Sequence, residues 1–231
     1  LTGGIDVQET CICWVIRAWG EHWTSQLIAR GQETNLWNAD NIMNLYYEKK
    51  NGEKLTPSLV LVDSGDQTDM VYDFCADTMD YTLPCKGSSK RLETDYKYSV
   101  INKAGSKAAG INLVIVDTGK YKDRIASRMR RNNGTGSWMV FQGIDEEYAN
   151  QVTAEHKINE RQANGAVTQK WVPKTTHTDN HYLDAEVYAM AAADIRGARI
   201  WHQERYVPPK KKTAEIPKEE QWIRDNELEG W

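Results

Sequence analysis

The sequence predicts an α/β fold, a mixed β-sheet flanked by helices, and three observations carry that prediction. The chain opens with three strand-like runs, the second and third joined around Gly20-Glu21. Two later runs, "SLVLVDSG" and "INLVIVDTG", are continuously apolar and end in aspartate, as strands buried on both faces do. Between and after them the apolar spacing is helical, so strands alternate with helices once the opening strands are complete.

Taken in order, "GIDVQ" reads as a short strand, Glu9-Thr10 as a turn, and "CICWVIRAWG" and "HWTSQLIARG" as longer strands. A helix is expected over 35–50 from Leu36, Met43 and Tyr47, with Ile42 and Tyr46 beside them and Asn51-Gly52 as the stop. After "SLVLVDSG", Met70, Val71, Phe74 and Cys75 form one helical stripe, with Asp66 as the expected N-cap. "YTLPCKG" is a further strand, and residues 87–107 read as a long polar loop around a short strand. The basic helix "KYKDRIASRMRR" follows "INLVIVDTG"; then come the turn "NNGTGS", the strand "WMVFQG" and the helix "DEEYANQVTAEH". "AVTQKWVPK" is expected at a sheet edge. "DNHYLDAEVYAMAAADIRGAR" is the strongest helix, capped by Thr178 or Asp179 and stopped near Gly197. One folded domain over 1–197 is therefore expected, with 198–231 as a charged, proline-containing tail.

At 231 residues the chain can bury one good core, and 40% hydrophobic with 27% charged residues describes an ordinary globular domain. No apolar run approaches the roughly 20 residues of a membrane span, and nothing resembles a secretory signal. Leu1 is not a start methionine and the first strand begins at once, so an excised domain or processed fragment is expected. The four cysteines, Cys11, Cys13, Cys75 and Cys85, lack paired ligand spacing and are expected as free thiols of a reducing compartment.

Net charge is −4, but its distribution is uneven. Between Lys86 and Arg131 stand twelve Lys/Arg and only four acids, Glu93, Asp95, Asp117 and Asp123, so this segment carries +8 and the remainder −12. A basic face for a polyanion beside an acidic face for cations accounts for that asymmetry; solvated helix and loop surface is the plainer account.

Asp6 raises the chemical question, because it sits between Ile5 and Val7 in an apolar strand. Such a carboxylate is exposed at an edge, paired with a cation, or bound to a metal. Asp63 ends the "SLVLVD" strand, where ligands bind in open α/β sheets, and a right-handed crossover can set its strand parallel beside that of Asp6. Asp184 lies in the first turns of the alanine-rich helix, on the stripe of Val187, Tyr188 and Ala191. Three clustered carboxylates repel unless hard divalent cations such as Mg²⁺ or Mn²⁺ join them.

Several segments occur in the order seen in one family: "GIDVQ", "VIRAWG", "VDSGDQTDMVYDFC", "VDTGKYKDRI", "DEEYANQVTAE" and "NHYLDAEVYAMAA". Over about residues 3–195 the chain resembles the C-terminal nuclease domain of lambda-type large terminase subunits of tailed bacteriophages. The resemblance implies a ribonuclease H-like fold and cleavage of concatemeric double-stranded DNA during viral genome packaging in the cytoplasm of the infected bacterium. It implies Asp6, Asp63 and Asp184 as catalytic metal ligands for two Mg²⁺ or Mn²⁺ ions. His181 and Asp117 are candidates for the layer behind those ligands. His181 departs from the family, which usually has Glu there. Lys120 and Lys122 follow the "VIVD" strand, and Lys122 matches a lysine often present in the family. With Lys90, Arg91, Arg130 and Arg131 they form the expected DNA-binding set.

The partners implied are double-stranded DNA, the ATPase domain of the same subunit, a small terminase subunit and the portal of the prohead, with no membrane. The phosphate-binding pattern GxxxxGK[ST] of the motor is absent from this chain, which is not expected to hydrolyse ATP. Two other readings stay open: a related ribonuclease H-like enzyme such as a junction resolvase or transposase core, and a catalytically silent module that docks DNA or the portal.

Overall fold

In the computed structural model, which describes residues 1–161, 165–176 and 179–200, the three opening runs form an antiparallel meander. Its strands are β1 (Thr2–Val7), β2 (Ile12–Trp19) and β3 (Ser25–Glu33). Helix α1 (Leu36–Met43) then leads to a small hairpin, β4 (Tyr47–Glu48) with β5 (Lys54–Leu55), and on to β6 (Val60–Asp63). Helix α2 (Thr68–Asp77), β7 (Thr82–Gly87), β8 (Tyr96–Val100), β9 (Asn112–Val116) and α3 (Thr118–Met129) follow. The chain continues through β10 (Trp138–Met139), α4 (Glu146–Val152), β11 (Glu155–Arg161), β12 (Val167–Pro173) and α5 (His181–Ile195).

Eight strands make one mixed sheet in the order β10-β3-β2-β1-β6-β7-β9-β8. The central strands β1, β6, β7 and β9 run parallel, and β2 and β8 are antiparallel to their neighbours β1 and β9. This is the mixed sheet flanked by helices of a ribonuclease H-like nuclease domain. Side-chain alternation explains its two layers, because successive residues of a strand face opposite sides. Val60 and Val62 pack under α1 and α2 with Leu36, Met43, Val71 and Phe74. Leu61 lies on the other face with Tyr121 and Ile125 of α3 and Val187, Tyr188 and Met190 of α5. Helix α4 covers the same side farther along, where Tyr148 and Val152 meet Cys13 and Val15.

The departures from sequence expectation have local causes. Helix α1 stops at Met43 rather than near residue 50, because the Asn44 side chain donates to the Asp40 carbonyl (2.9 Å) and Tyr47 enters the β4–β5 hairpin. Asp66 is not the N-cap of α2; that position is Gln67, in the left-handed region at φ 43°, and Asp66 instead accepts from the Gln67 N–H. On α2, Val71, Phe74 and Cys75 are buried, but Met70 is exposed. Helix α4 ends at Val152, where the Thr153 hydroxyl donates to the Ala149 carbonyl (2.8 Å). The next residues start β11, which pairs along its whole length with β12. The expected edge strand is therefore half of a separate hairpin, not part of the main sheet.

The N-cap of α5 is Asn180 rather than Asp179, and Thr178 lies outside the described residues. Folded structure continues past 197 into a 3-10 turn, Ala198–Ile200, with Ala198 fully buried; the rest of the expected tail, 201–231, lies outside the described residues. All four cysteines are free thiols.

Candidate metal centre and nucleic-acid cleft

The site begins with a glycine. Gly4 on β1 faces α5 so closely that a Cβ there would sit 1.9 Å from the Ala185 carbonyl oxygen and 2.5 Å from the Ala189 nitrogen. Only glycine permits that approach of backbone to backbone. The small residues Ala185 and Ala189 complete the contact on the helix side. Two further ties hold α5 in place. The Thr2 hydroxyl donates to the Ala189 carbonyl at 2.7 Å. Arg17 of β2 grips Glu186 bidentately (2.8 and 2.7 Å), with both side chains fully buried and the Tyr148 hydroxyl donating to the same carboxylate. Cutting that pair on one side would strand a buried charge, so it locks the helix register.

Asp6 stands two residues beyond Gly4, so by alternation it faces α5 as well. Asp63 follows Val62, whose partner across the parallel ladder is Ile5; the two aspartates thus extend adjacent strands at their carboxyl ends. Ser64 fixes the turn behind Asp63, its N–H and hydroxyl both donating to the Cys85 carbonyl at 2.8 and 2.9 Å. Asp184, in the first turn of α5, is the third carboxylate on this rim.

Electrostatics ties the three together. Burial pushes the Asp63 carboxyl up to about 7, and the charges of Asp6 and Asp184 push the same way against bonds from the Gly65 N–H and the Tyr188 hydroxyl. Burial also raises Asp184, Asp6 and Glu155 adding to the rise while Lys122 opposes it. Side-chain nitrogens stand on two of the carboxylates. His181 Nδ1 lies 2.9 Å from Asp6 Oδ2, which also accepts from the Gln8 amide (2.9 Å). Lys122 Nζ lies 2.9 Å from Asp184 Oδ1 and 2.7 Å from Glu155 Oε1. Burial works against the charge of Lys122, but Asp184 and Glu155 outweigh it and hold its pKa above the usual value. Among the described residues, no three His, Cys, Asp or Glu side chains converge into a group that could hold a metal ion in this arrangement. The donor set is nonetheless hard oxygen, the kind that Mg²⁺ and Mn²⁺ take.

The remaining candidates separate into three places. Asp117 caps α3: one oxygen accepts from the Lys120 N–H (3.1 Å) and the other from the Leu92 N–H (2.9 Å), so both its oxygens are engaged by backbone. Lys120 turns to the Glu93 and Thr94 carbonyls (2.8 and 3.0 Å) rather than to the carboxylates. Lys90, Arg91, Lys120 and Lys122 line one cleft of about 850 Å³ between the start of α3 and the β11–β12 hairpin. Arg130 and Arg131 lie past the other end of α3, about 18 Å along the helix axis at 1.5 Å per residue, and are exposed.

Sequence reasoning missed Glu155, Asn180, Arg17 and Glu186. A signal existed for the last two, since Arg17 is a lone charge in an apolar strand and Glu186 is a charge of opposite sign in an alanine-rich, otherwise mostly apolar helix. Glu155 lay inside an expected helix and gave no such signal.

No curated protein and no solved structure matches the chain. Residues 1–206 do match a family model described as the endonuclease domain of the terminase large subunit gpA, and the chain belongs to that family.

Proposed function

We propose that this chain is a metal-dependent DNA endonuclease domain that cuts concatemeric double-stranded DNA for viral genome packaging. The observation that carries the reading is Asp63 at the end of a parallel strand, raised to about 7 by burial and by the charges of Asp6 and Asp184. Perturbed carboxylates gathered in this way are what a divalent cation relieves. Asp6, Asp63 and Asp184 would hold Mg²⁺ or Mn²⁺, two ions in the full reading. When bound, such ions supply the positive charge that activates water and stabilises the leaving oxygen of the phosphodiester. The chain's own part is to orient the carboxylates, and the cleft lined by Lys90, Arg91 and Lys122, of which Lys122 touches Asp184, would receive the duplex backbone.

In the same proposal the partners are the ATPase domain of the same subunit, a small terminase subunit and the portal, and the setting is the cytoplasm of the infected host. No helix among the described residues is long and apolar enough to cross a membrane. A catalytically silent docking module is the second reading, favoured by the engagement of Asp6 and Asp184 by His181 and Lys122. Incubation with supercoiled plasmid separates the two. Nicking with Mg²⁺ or Mn²⁺ that stops in excess chelator supports the nuclease; cutting in chelator overturns the metal mechanism, and no cutting under any condition favours the silent module.

A further inference from the structure

The geometry points to Glu155 as the residue that positions Asp184, acting through Lys122 and Asn180. Glu155 Oε1 accepts from Lys122 Nζ and from Asn180 Nδ2, both at 2.7 Å. Each donor then reaches a different oxygen of Asp184: Lys122 to Oδ1 at 2.9 Å and Asn180 to Oδ2 at 2.9 Å. Two carboxylates and two donors thus close a ring, and the plane of the Asp184 carboxylate is set at both of its oxygens. Its members come from three elements: α3, the first residue of β11, and the cap of α5. The side chains of Glu155 and Lys122 are 7% and 9% exposed, so the contact between them is largely shielded from water.

Charge gives the ring a second consequence. Lys122 carries +1 against Glu155 and Asp184, which leaves the group at −1. Were Glu155 neutral, the whole charge of Lys122 would fall on Asp184 and cancel it. Glu155 therefore takes up part of the lysine's charge, so that less of it falls on Asp184, and each Asp184 oxygen retains a second lone pair. Partners behind a metal ligand typically change metal affinity by about 10–100-fold when lost.

This inference rests on the metal reading above, so its test has one arm with metal and one without. In the metal-free arm, the side-chain amide protons of Asn180 are followed by NMR in the 231-residue chain and in Glu155→Gln. Exchange with water at least about tenfold faster in the variant is expected; unchanged exchange overturns the ring. In the second arm, Mn²⁺ binding is titrated without DNA. Glu155→Gln is expected to weaken Mn²⁺ by about tenfold or more. The double variant Glu155→Gln/Lys122→Gln is expected to recover to within about threefold of the parent, because the uncompensated lysine charge is gone. Wild-type affinity in the single variant overturns the proposal, whereas loss without recovery in the double variant shows that Glu155 acts by positioning alone and not by balancing the lysine charge. If the parent chain binds no Mn²⁺, the metal reading fails while the Asn180 arm still decides the ring. Should Glu155→Gln fail to fold, Glu155→Asp, one methylene shorter, makes the same comparison.

Discussion

The imidazole of His181 meets the carboxylate of Asp6, Nδ1 to Oδ2 2.9 Å, across 175 residues of chain. The hydrogen bond to Asp6 and its charge raise the pKa of His181 above the usual value, against the opposing effect of burial. A histidine shifted in this direction stabilises the fold fully below its unfolded pKa of about 6.5 and loses that contribution as pH rises through the folded value. In the metal-free chain, the His181 ring resonances are expected to titrate above that of a free histidine. Asp6→Asn is expected to return the midpoint toward about 6.5, and an unmoved midpoint would mean the contact carries no charge interaction.

Asp63 acts on stability in the same direction. Its folded pKa of about 7 lies above the unfolded carboxyl value, so the native state holds the proton more tightly. Stability of the metal-free chain therefore falls between about pH 4 and pH 7 and stays low above. At pH 8 and without metal, Asp63→Asn is expected to be more stable than the parent, on the order of 1–3 kcal/mol. Thermal unfolding across pH reads this; equal slopes in parent and variant would refute it.

Asp6→Asn, Asp63→Asn and Asp184→Asn are each expected to lower plasmid cleavage on the order of 100-fold or more, with the fold retained. Asparagine keeps the size of the side chain and removes the charge that would hold an ion. In Asp184→Asn, Lys122 still has Glu155 at 2.7 Å, so no buried cation is stranded. Wild-type cutting by any of the three would remove that residue from the site.

Gly4→Ala is expected to cost stability on the order of 2–4 kcal/mol, because the new methyl would enter the Ala185 carbonyl and α5 would have to move. Cleavage should fall with it, since α5 carries Asp184 and His181 past Asp6. A melting temperature within a degree of the parent would show that the helix can retreat freely.

Neutralising Lys90 with Arg91 is expected to weaken DNA binding alike for all sequences and to flatten log affinity against log salt by up to about 1.8, or about 0.9 per phosphate contact. The Arg130/Arg131 pair is expected to have the smaller effect, because Lys90 and Arg91 both line the cleft of about 850 Å³ beside Lys122, whereas Arg130 alone of the second pair reaches a cleft that Lys122 shares. A salt series on both variants decides; unchanged slopes in both would make the +8 segment solvated surface.

The sequence alone determined the alternation of strands and helices, the two buried strands ending in aspartate, and the alanine-rich helix with Asp184. These are periodic, local signals, set by which face of a strand or helix must leave water. It also singled out Asp6, because a carboxylate in an apolar strand demands a partner, although not which partner. One partner, Gln8, is a neighbour in sequence, but the other, His181, came from packing α5 against β1, which turns on Gly4 and Ala185 touching backbone to backbone. The Lys122–Glu155 and Arg17–Glu186 pairs span 33 and 169 residues, and no period links their members. Of the β11–β12 hairpin only β12 was legible, as an expected edge strand; β11 was not, because most of the hairpin is exposed and its strands pair only with each other. Long-range pairs of this kind exist only once the sheet and α5 have brought distant segments together, which is why the tertiary structure, and not the order of residues, decided what surrounds the three carboxylates.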